Sequence, residues 1–352
     1  MSPSNQEPFS PNSNWPDSHI ERVEKCPVCG SESRELLHKG LTDRIFFCAP
    51  GKWTMYSCGT CKSAYLDPRP TLDSIGLAYR SYYTHQASSD YSSLSLVGKL
   101  RRSLANGYRN WRYGCAEVPA NILGVAAMML MPDSRAILDA GMRHLPRPKP
   151  GQRLLDVGCG NGAFLVQARS AGWDVLGLDF DAKAVQAALR LNLDVRVGGI
   201  ECLNQDQYKF DIITLSHVIE HFYNPIETLE SCYNLLSSNG FLWIETPNIN
   251  SEGHRNYGDN WRGLEPPRHL VLFTLDSLKL ALERSGFSRI EIQPYRPLCS
   301  KIFTASMAIA SGIDPYCSEA NLLTDTAKIK ESEKLEKRLP ESREFITLKA
   351  WK

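Results

Sequence analysis

The ten residues Arg153-Leu154-Leu155-Asp156-Val157-Gly158-Cys159-Gly160-Asn161-Gly162 limit the folds open to this chain more than any other stretch. Apolar residues run into an acid, glycines follow at every second position, and Ala163-Phe164-Leu165-Val166 begins an amphipathic run. That order reads as a buried strand, a tight turn and the start of a helix. Glycine lets the backbone enter φ > 0 and approach a ligand closely. The first turn of the new helix directs free N–H groups at whatever occupies the turn. The frame Gly158-x-Gly160-x-x-Ala163 also fits the dinucleotide-binding spacing, so the glycines alone do not select a ligand.

The acids select it. Asp156, two residues before the first glycine, would repel a pyrophosphate and welcome an ammonium group. Asp179 ends the apolar run Val175-Leu176-Gly177-Leu178, where a carboxylate can grip two ribose hydroxyls. An amine-binding acid with a ribose-binding acid describes S-adenosylmethionine better than NAD. On these residues the chain resembles the class I S-adenosylmethionine-dependent methyltransferases, whose first motif is acid-x-Gly-x-Gly-x-Gly. The resemblance implies that Asp156, Gly158, Cys159, Gly160, Gly162, Asp179, Phe180 and His217 line the cofactor.

Strand and helix patterns alternate from residue 153 onward: helices over 163–171 and 182–192, strands over 173–179, 195–197, 210–215 and 240–248. This predicts an α/β fold, a Rossmann-like doubly wound sheet spanning 149–298. The turn Gly198-Gly199-Ile200-Glu201 falls where the resembling family flanks its adenine. Ser216-His217-Val218-Ile219-Glu220-His221-Phe222 also matches that family and follows the fourth strand, near the switch point where ligands collect. His217 and His221 are four apart, but no third ligand stands near them in sequence, so a metal is not expected there. Residues 249–268 form a long polar loop of the kind that serves a cleft. Glu265-Pro266-Pro267-Arg268-His269 then resembles the loop before the sixth strand in a small-molecule branch that includes ubiquinone-type and sugar-modifying enzymes. An oxygen or nitrogen acceptor of high pKa needs a base within hydrogen-bond reach. His221, His254 and His269 are the candidates, with His217 as a cofactor-side contact.

Two Cys-x-x-Cys pairs, Cys26/Cys29 and Cys58/Cys61, precede this domain. Four thiolates make a closed tetrahedral zinc site, so the expected role is structural. Unligated packing thiols or a redox dithiol are the alternatives. The ribbon over 21–70 is expected to draw strands from Arg44-Ile45-Phe46-Phe47 and from Trp53-Thr54-Met55-Tyr56-Ser57, and residues 20–85 resemble the zinc-binding N-terminus that some of these enzymes carry.

Residues 1–20 are Ser/Asn/Pro-rich and read as a disordered tail without a signal peptide. The apolar run 122–131 is too short to span a bilayer. Eleven cysteines without an export signal predict a reducing, cytoplasmic setting. Residues 71–148 read as a helical linker or lid, beginning with an expected helix over 72–83 and an aromatic cluster of Tyr79, Tyr82, Tyr83 and His85. Within it Lys99, Arg101, Arg102, Arg109 and Arg112 occur with no acid among them, interleaved with Tyr108, Trp111 and Tyr113. That face suits a phosphate-bearing acceptor, RNA, or plain solvent. Residues 146–151 are a proline-rich linker, and 299–352 read as a helical extension ending in a mobile tail.

The function expected is methyl transfer from S-adenosylmethionine to a small molecule, such as a nucleotide-linked sugar or another anionic metabolite. RNA methylation is the alternative enzyme. A net charge of +1 argues against it, as does Leu215-Ser216-His217-Val218 standing where a base-amino methylase carries Asn/Asp-Pro-Pro-aromatic. A non-catalytic cofactor-binding module, recruiting a partner through its zinc ribbon, is the third reading. Composition leaves the oligomeric state open.

Overall fold

In the computed structural model, which describes residues 14–79 and 95–352, the first strands are short and antiparallel. They are β1 (Ile20–Glu21), β2 (Arg34–Leu41), β3 (Trp53–Cys58), β4 (Ala64–Leu66) and β5 (Arg69–Pro70). Strands β2, β3 and β4 pair in sequence, and β1 pairs with β5. The strand expected over residues 44–47 is absent. Asp43 takes the backbone N–H groups of Phe46, Cys48 and Ala49 at 3.0–3.1 Å, and this local bonding replaces a ladder. The half-exposed β2, with its mixed polar pattern, fills that place. Of the helix expected over 72–83, residues 75–79 form a single 3-10 turn. Tyr82, Tyr83, His85 and the first part of the N-terminal tail lie outside the described residues.

Three helices follow, α1 (Leu96–Tyr113), α2 (Leu123–Leu130) and α3 (Pro132–Gly141). Tyr108 and Tyr113 are buried, and both hydroxyls donate to Asp139 Oδ1, at 2.9 and 2.5 Å. The proline-rich segment after α3 is packed against α1, because Arg147 caps the carbonyl of Trp111.

The domain then alternates β6 (Arg153–Val157), α4 (Ala163–Ser170), β7 (Asp174–Asp179), α5 (Ala182–Leu189), β8 (Val195–Val197), β9 (Phe210–Ser216), α6 (Pro225–Leu235) and β10 (Leu236–Pro247). Next come α7 (Glu252–Tyr257), β11 (Val271–Leu272), α8 (Leu275–Arg284), β12 (Arg289–Ile292), α9 (Cys299–Ala310), α10 (Thr326–Arg338) and β13 (Phe345–Trp351). The seven-stranded sheet has the order β12-β13-β10-β9-β6-β7-β8. Strands β6 to β10 run parallel, and β13 enters antiparallel between β10 and β12.

Two boundaries read from sequence change. The extension over 299–352 is helical in α9 and α10, but its end is an interior strand of the sheet. Ile346, Leu348 and Ala350 alternate into the core, so the last residues are needed to cover β10. The run around Val271 does not join the parallel sheet. It pairs with β4 through Val271↔Tyr65 and Leu272↔Ala64, adding a fourth strand to the N-terminal sheet. Tyr65, Leu66, Leu270 and Phe273 are fully buried in one core with Leu215, Ile244 and Leu278, so the cysteine module and the parallel sheet are packed as one body. Among the described residues no helix is long and apolar enough to cross a membrane.

Candidate active site

The glycine turn is built as its spacing requires. Gly158 (φ 72°) and Gly160 (φ 55°) both sit in the left-handed region. A Cβ on Gly158 would lie 2.4 Å from Val218 Cγ2, so this position must be bare for the loop after β9 to close on it. A Cβ on Gly160 would meet nothing within 4 Å, so the turn is open at this position. Gly162 leads into α4, and its N–H donates to the Cys159 carbonyl at 3.0 Å. Cys159 is buried, and burial raises its thiol pKa, which makes it a packing residue rather than a reactive one.

Asp179 ends β7 beside that opening. Its Oδ2 accepts from Gly160 N at 2.7 Å and its Oδ1 from Asp181 N at 2.8 Å. The carboxylate is therefore aimed before any ligand arrives, at half-buried depth. Phe180 follows with 66% of its surface exposed, its ring against Gly199, and Glu201 accepts from Gly199 N at 3.0 Å. An open aromatic face beside a fixed acid fits a nucleoside: the acid for the sugar diol, the ring for the base.

Asp156, the acid expected to receive the ammonium group, is the more enclosed of the two acids. Its side chain is wholly buried, with Oδ1 bonded to Arg143 Nη1 and, at 2.9 Å, to Thr214 Oγ1. Oδ2 has no hydrogen-bond partner among the described residues. Arg143 itself stacks over Phe164, 3.6 Å from the ring centroid. Burial raises the Asp156 pKa, and Arg143 opposes that rise.

His217 holds φ 55°, a strained value for a histidine, of a kind that collects at functional sites. Its Nε2 lies 3.2 Å from Glu245 Oε1 and its Nδ1 3.7 Å from Glu220 Oε1, with Phe345 edge-on at 4.7 Å. Burial alone would lower its pKa, but the two carboxylates outweigh it and push it up to about 9. Although 37% of the side chain is accessible, His217 is a cation at neutral pH and no base. Glu245 is held at about 2, where burial is overcome first by Arg296 and then by His217. Thr347 of β13 donates to Glu245 Oε2 at 2.8 Å, so the chain's last strand also completes this wall.

Of the three candidate bases, the structure gathers two. His221 and His269 pack edge to face at 4.9 Å, with Glu220 beside them. His269 Nδ1 is 2.8 Å from the Gly263 carbonyl and His221 Nδ1 2.8 Å from the Arg268 carbonyl, which makes both nitrogens donors. Burial pushes His269 down to about 4, despite Glu265 and Glu220 nearby. His254 is elsewhere. Its Nε2 faces His38 Nε2 at 2.8 Å and its ring lies near Trp261, because α7 turns it toward β2. Glu220, Glu245, Glu265 and Arg143 escaped the sequence reading. The signal for Glu245 was present: an acid inside the apolar run Leu242-Trp243-Ile244 has to be buried and paired.

Arg268 ties this wall to the N-terminal module. It is fully buried, bonding Asp43 Oδ1 at 2.7 Å, Glu265 Oε1 at 3.0 Å and the Ala78 carbonyl at 2.9 Å. The basic face expected on α1 is divided: Arg101 is exposed, Arg109 donates to Asn106 Oδ1 at 2.9 Å, and Arg112 lies over the Tyr113 ring.

The four paired cysteines converge in the module. Cys26 Sγ is 3.6 Å from Cys61 Sγ, Cys29 Sγ is 3.5 Å from Cys58 Sγ, and all four lie within 4.8 Å of one another. A tetrahedron with metal–sulfur bonds of about 2.3 Å has edges near 3.8 Å, so the cluster has the size that zinc demands. Matching knuckles shape it: Gly30 N donates to the Cys26 carbonyl at 2.9 Å and Lys62 N to the Cys58 carbonyl at 3.1 Å. Cys48 stands apart, against Asp43 and Ala78.

The parallel sheet with one antiparallel strand, the triple-glycine turn and the acid closing the second strand agree with the methyltransferase resemblance carried by the sequence. Residues 131–292 match the family model described as a methyltransferase domain. Ubiquinone biosynthesis O-methyltransferase of Glaesserella parasuis is 34% identical over 116 residues, 30% of this chain and 49% of that protein. The enzyme of the same name from Coxiella burnetii is 31% identical over 110 residues, 30% of this chain and 47% of that protein. The chain thus spans about half the length of these curated relatives. A solved S-adenosylmethionine-dependent methyltransferase from Archaeoglobus fulgidus is 22% identical, covering 65% of this chain and 99% of that one, with a TM-score of 0.43.

Proposed function

We propose that the protein transfers the methyl group of S-adenosylmethionine to an oxygen of a small-molecule acceptor. The observation that carries this reading is Asp179, preset by Gly160 N beside an open glycine face and the exposed Phe180. The relatives' names, which specify O-methyltransferases, support oxygen as the accepting atom. When bound, the cofactor supplies a sulfonium methyl that leaves by in-line displacement. The protein's work is alignment, exclusion of water and removal of the acceptor's proton.

The residues divide that work. Asp179 holds the ribose, Phe180 and the Gly199 turn flank the base, and Asp156 with Arg143 braces the start of the glycine turn. His217, as a cation between Glu220 and Glu245, orients the methyl-bearing end. The acceptor hydroxyl faces Glu220, His221 and His269, and its proton leaves toward that cluster. Cys26, Cys29, Cys58 and Cys61 hold a structural zinc. Because Arg268 joins this module to the loop carrying His269, the module supports the acceptor wall rather than acting as a separate recruiter.

Calorimetry with S-adenosylhomocysteine tests the cofactor half, and transfer of labelled methyl from the cofactor to small-molecule hydroxyls in a cell extract tests the other. NADH binding without any response to S-adenosylhomocysteine would overturn the proposal.

A further inference from the structure

We infer that the α1–α2 hairpin carries a docking surface for an anionic lipid bilayer, on which the protein rests without crossing it. The outward side of α2 is apolar throughout. Ile122, Leu123, Ala126, Met129 and Leu130 are exposed at the spacing i, i+1, i+4, i+7, i+8, while Gly124 and Met128 are buried. A helix at a water-facing surface keeps polar residues on its outer side, and α2 has none on either side. The start of α1 repeats the pattern, with Leu96, Val97 and Leu100 exposed. Leu96 is 86% exposed and Leu130 83%, so neither contributes to the core.

The crossing of the two helices joins these sets. Asn121 N donates to the Ser103 carbonyl at 2.9 Å. A Cβ on Gly107 would lie 1.8 Å from the Asn121 carbonyl oxygen, and one on Gly124 1.9 Å from that of Leu104. The helices therefore touch backbone to backbone and run antiparallel, residue 107 beside 121 and 104 beside 124. Continued in that sense, the start of α1 lies at the same end of the hairpin as Leu130 and Met131, which makes one apolar patch. A contiguous patch of this kind marks an interaction surface.

Charge selects the occupant. Residues 96–131 hold five cations, Lys99, Arg101, Arg102, Arg109 and Arg112, against the single acid Glu117. Glu117 sits at the loop end of the hairpin beside Asn110, whereas Arg101 and Arg102 are exposed next to Leu100. Aliphatic side chains edged by arginines fit the boundary layer of an anionic bilayer: acyl chains receive the leucines and methionines, headgroup phosphates the guanidiniums. A second copy of the chain would set like charges against like, which disfavours self-pairing through this face. The hairpin precedes residue 131, where the match to the methyltransferase family model begins, and the surface does not depend on the proposed reaction.

Flotation of the full-length protein with vesicles measures the interaction. Vesicles of equal parts phosphatidylglycerol and phosphatidylcholine should carry the protein at low salt, and pure phosphatidylcholine vesicles should carry at least about tenfold less. Salt at about 1 M, where the screening length falls to about 3 Å, should weaken the anionic binding. Leu96→Asp and Leu130→Asp should each lower partition onto the anionic vesicles at least about tenfold, with melting temperatures unchanged because both side chains are exposed. In the unmodified protein, anionic vesicles should slow amide exchange over 96–104 and 122–131 and leave the parallel sheet as it was, a readout that needs no variant. Absence of flotation with anionic vesicles, or equal flotation of folded Leu96→Asp and Leu130→Asp, would overturn the inference. A dimer in sedimentation that Leu130→Asp dissolves would also overturn it, since a second copy would then cover the patch.

Discussion

Arg143 Nη1 donates to Asp156 Oδ1, joining a residue just after α3 to the next-to-last residue of β6, before the glycines. The pair is buried, and Thr214 of β9 bonds both partners, to Asp156 at 2.9 Å and from Arg143 at 2.6 Å. The acid of the glycine motif is therefore a joint between three elements, while Asp179 at the end of β7 keeps part of its surface open.

That division predicts an asymmetry in cofactor binding. Asp179→Ala should weaken S-adenosylhomocysteine by about 1–3 kcal/mol, the worth of hydrogen bonds to a charged group, while folding remains intact. Asp156→Asn should act chiefly on stability. Calorimetry on both variants, beside thermal melts, separates the two effects, and equal affinity in Asp179→Ala and the unmodified protein would remove the ribose role.

Metal analysis of purified protein should find one zinc per chain at the cysteine cluster. Cys58→Ser should lose it and expose Trp53 and Met55, which pack against the module core. Unchanged zinc content in Cys58→Ser would break the ligand assignment.

Arg268→Met should destabilise the fold by about 3–5 kcal/mol, because Asp43 and Glu265 would be left as uncompensated buried charges. The double variant Asp43→Asn/Arg268→Met should recover part of the loss. Denaturant unfolding of the single and double variants measures both, and a single-variant loss below about 1 kcal/mol would show the pair to be dispensable.

The pH dependence follows from His269. Its ordinary value is 6.5 and burial lowers it to about 4, so between those values the unfolded chain binds the proton and the folded one does not. His269 therefore makes stability fall as pH drops from 6.5 to 4 and His269→Gln should remove that contribution, while Glu336 and Glu344, raised by burial to about 9 and about 7, pull the other way in both proteins. His144 and His254, also lowered to about 4, keep a residual slope in the variant. Melting temperatures at pH 7.5, 6 and 5 test this, and parallel curves for the two proteins would exclude His269 as the titrating group.

Features confined to a short stretch were legible from residues alone. Gly158, Gly160 and Gly162 with Asp156 announced strand, turn and helix, because backbone conformation and side-chain period are local properties. Asp179 was placed by its position at the end of an apolar run. The cysteine pairs announced a four-thiolate cluster, since each knuckle is four residues long. Tertiary structure alone decided the rest. Asp43 and Arg268 meet across 225 residues, and β13 takes its place between β10 and β12 by pairing its backbone with an edge of each. His254, read as an equal candidate with His221 and His269, was separated from them by the turn of α7 toward His38. Burial and pairing depend on which distant segments share a core, and a local pattern of apolar and polar residues does not carry that information.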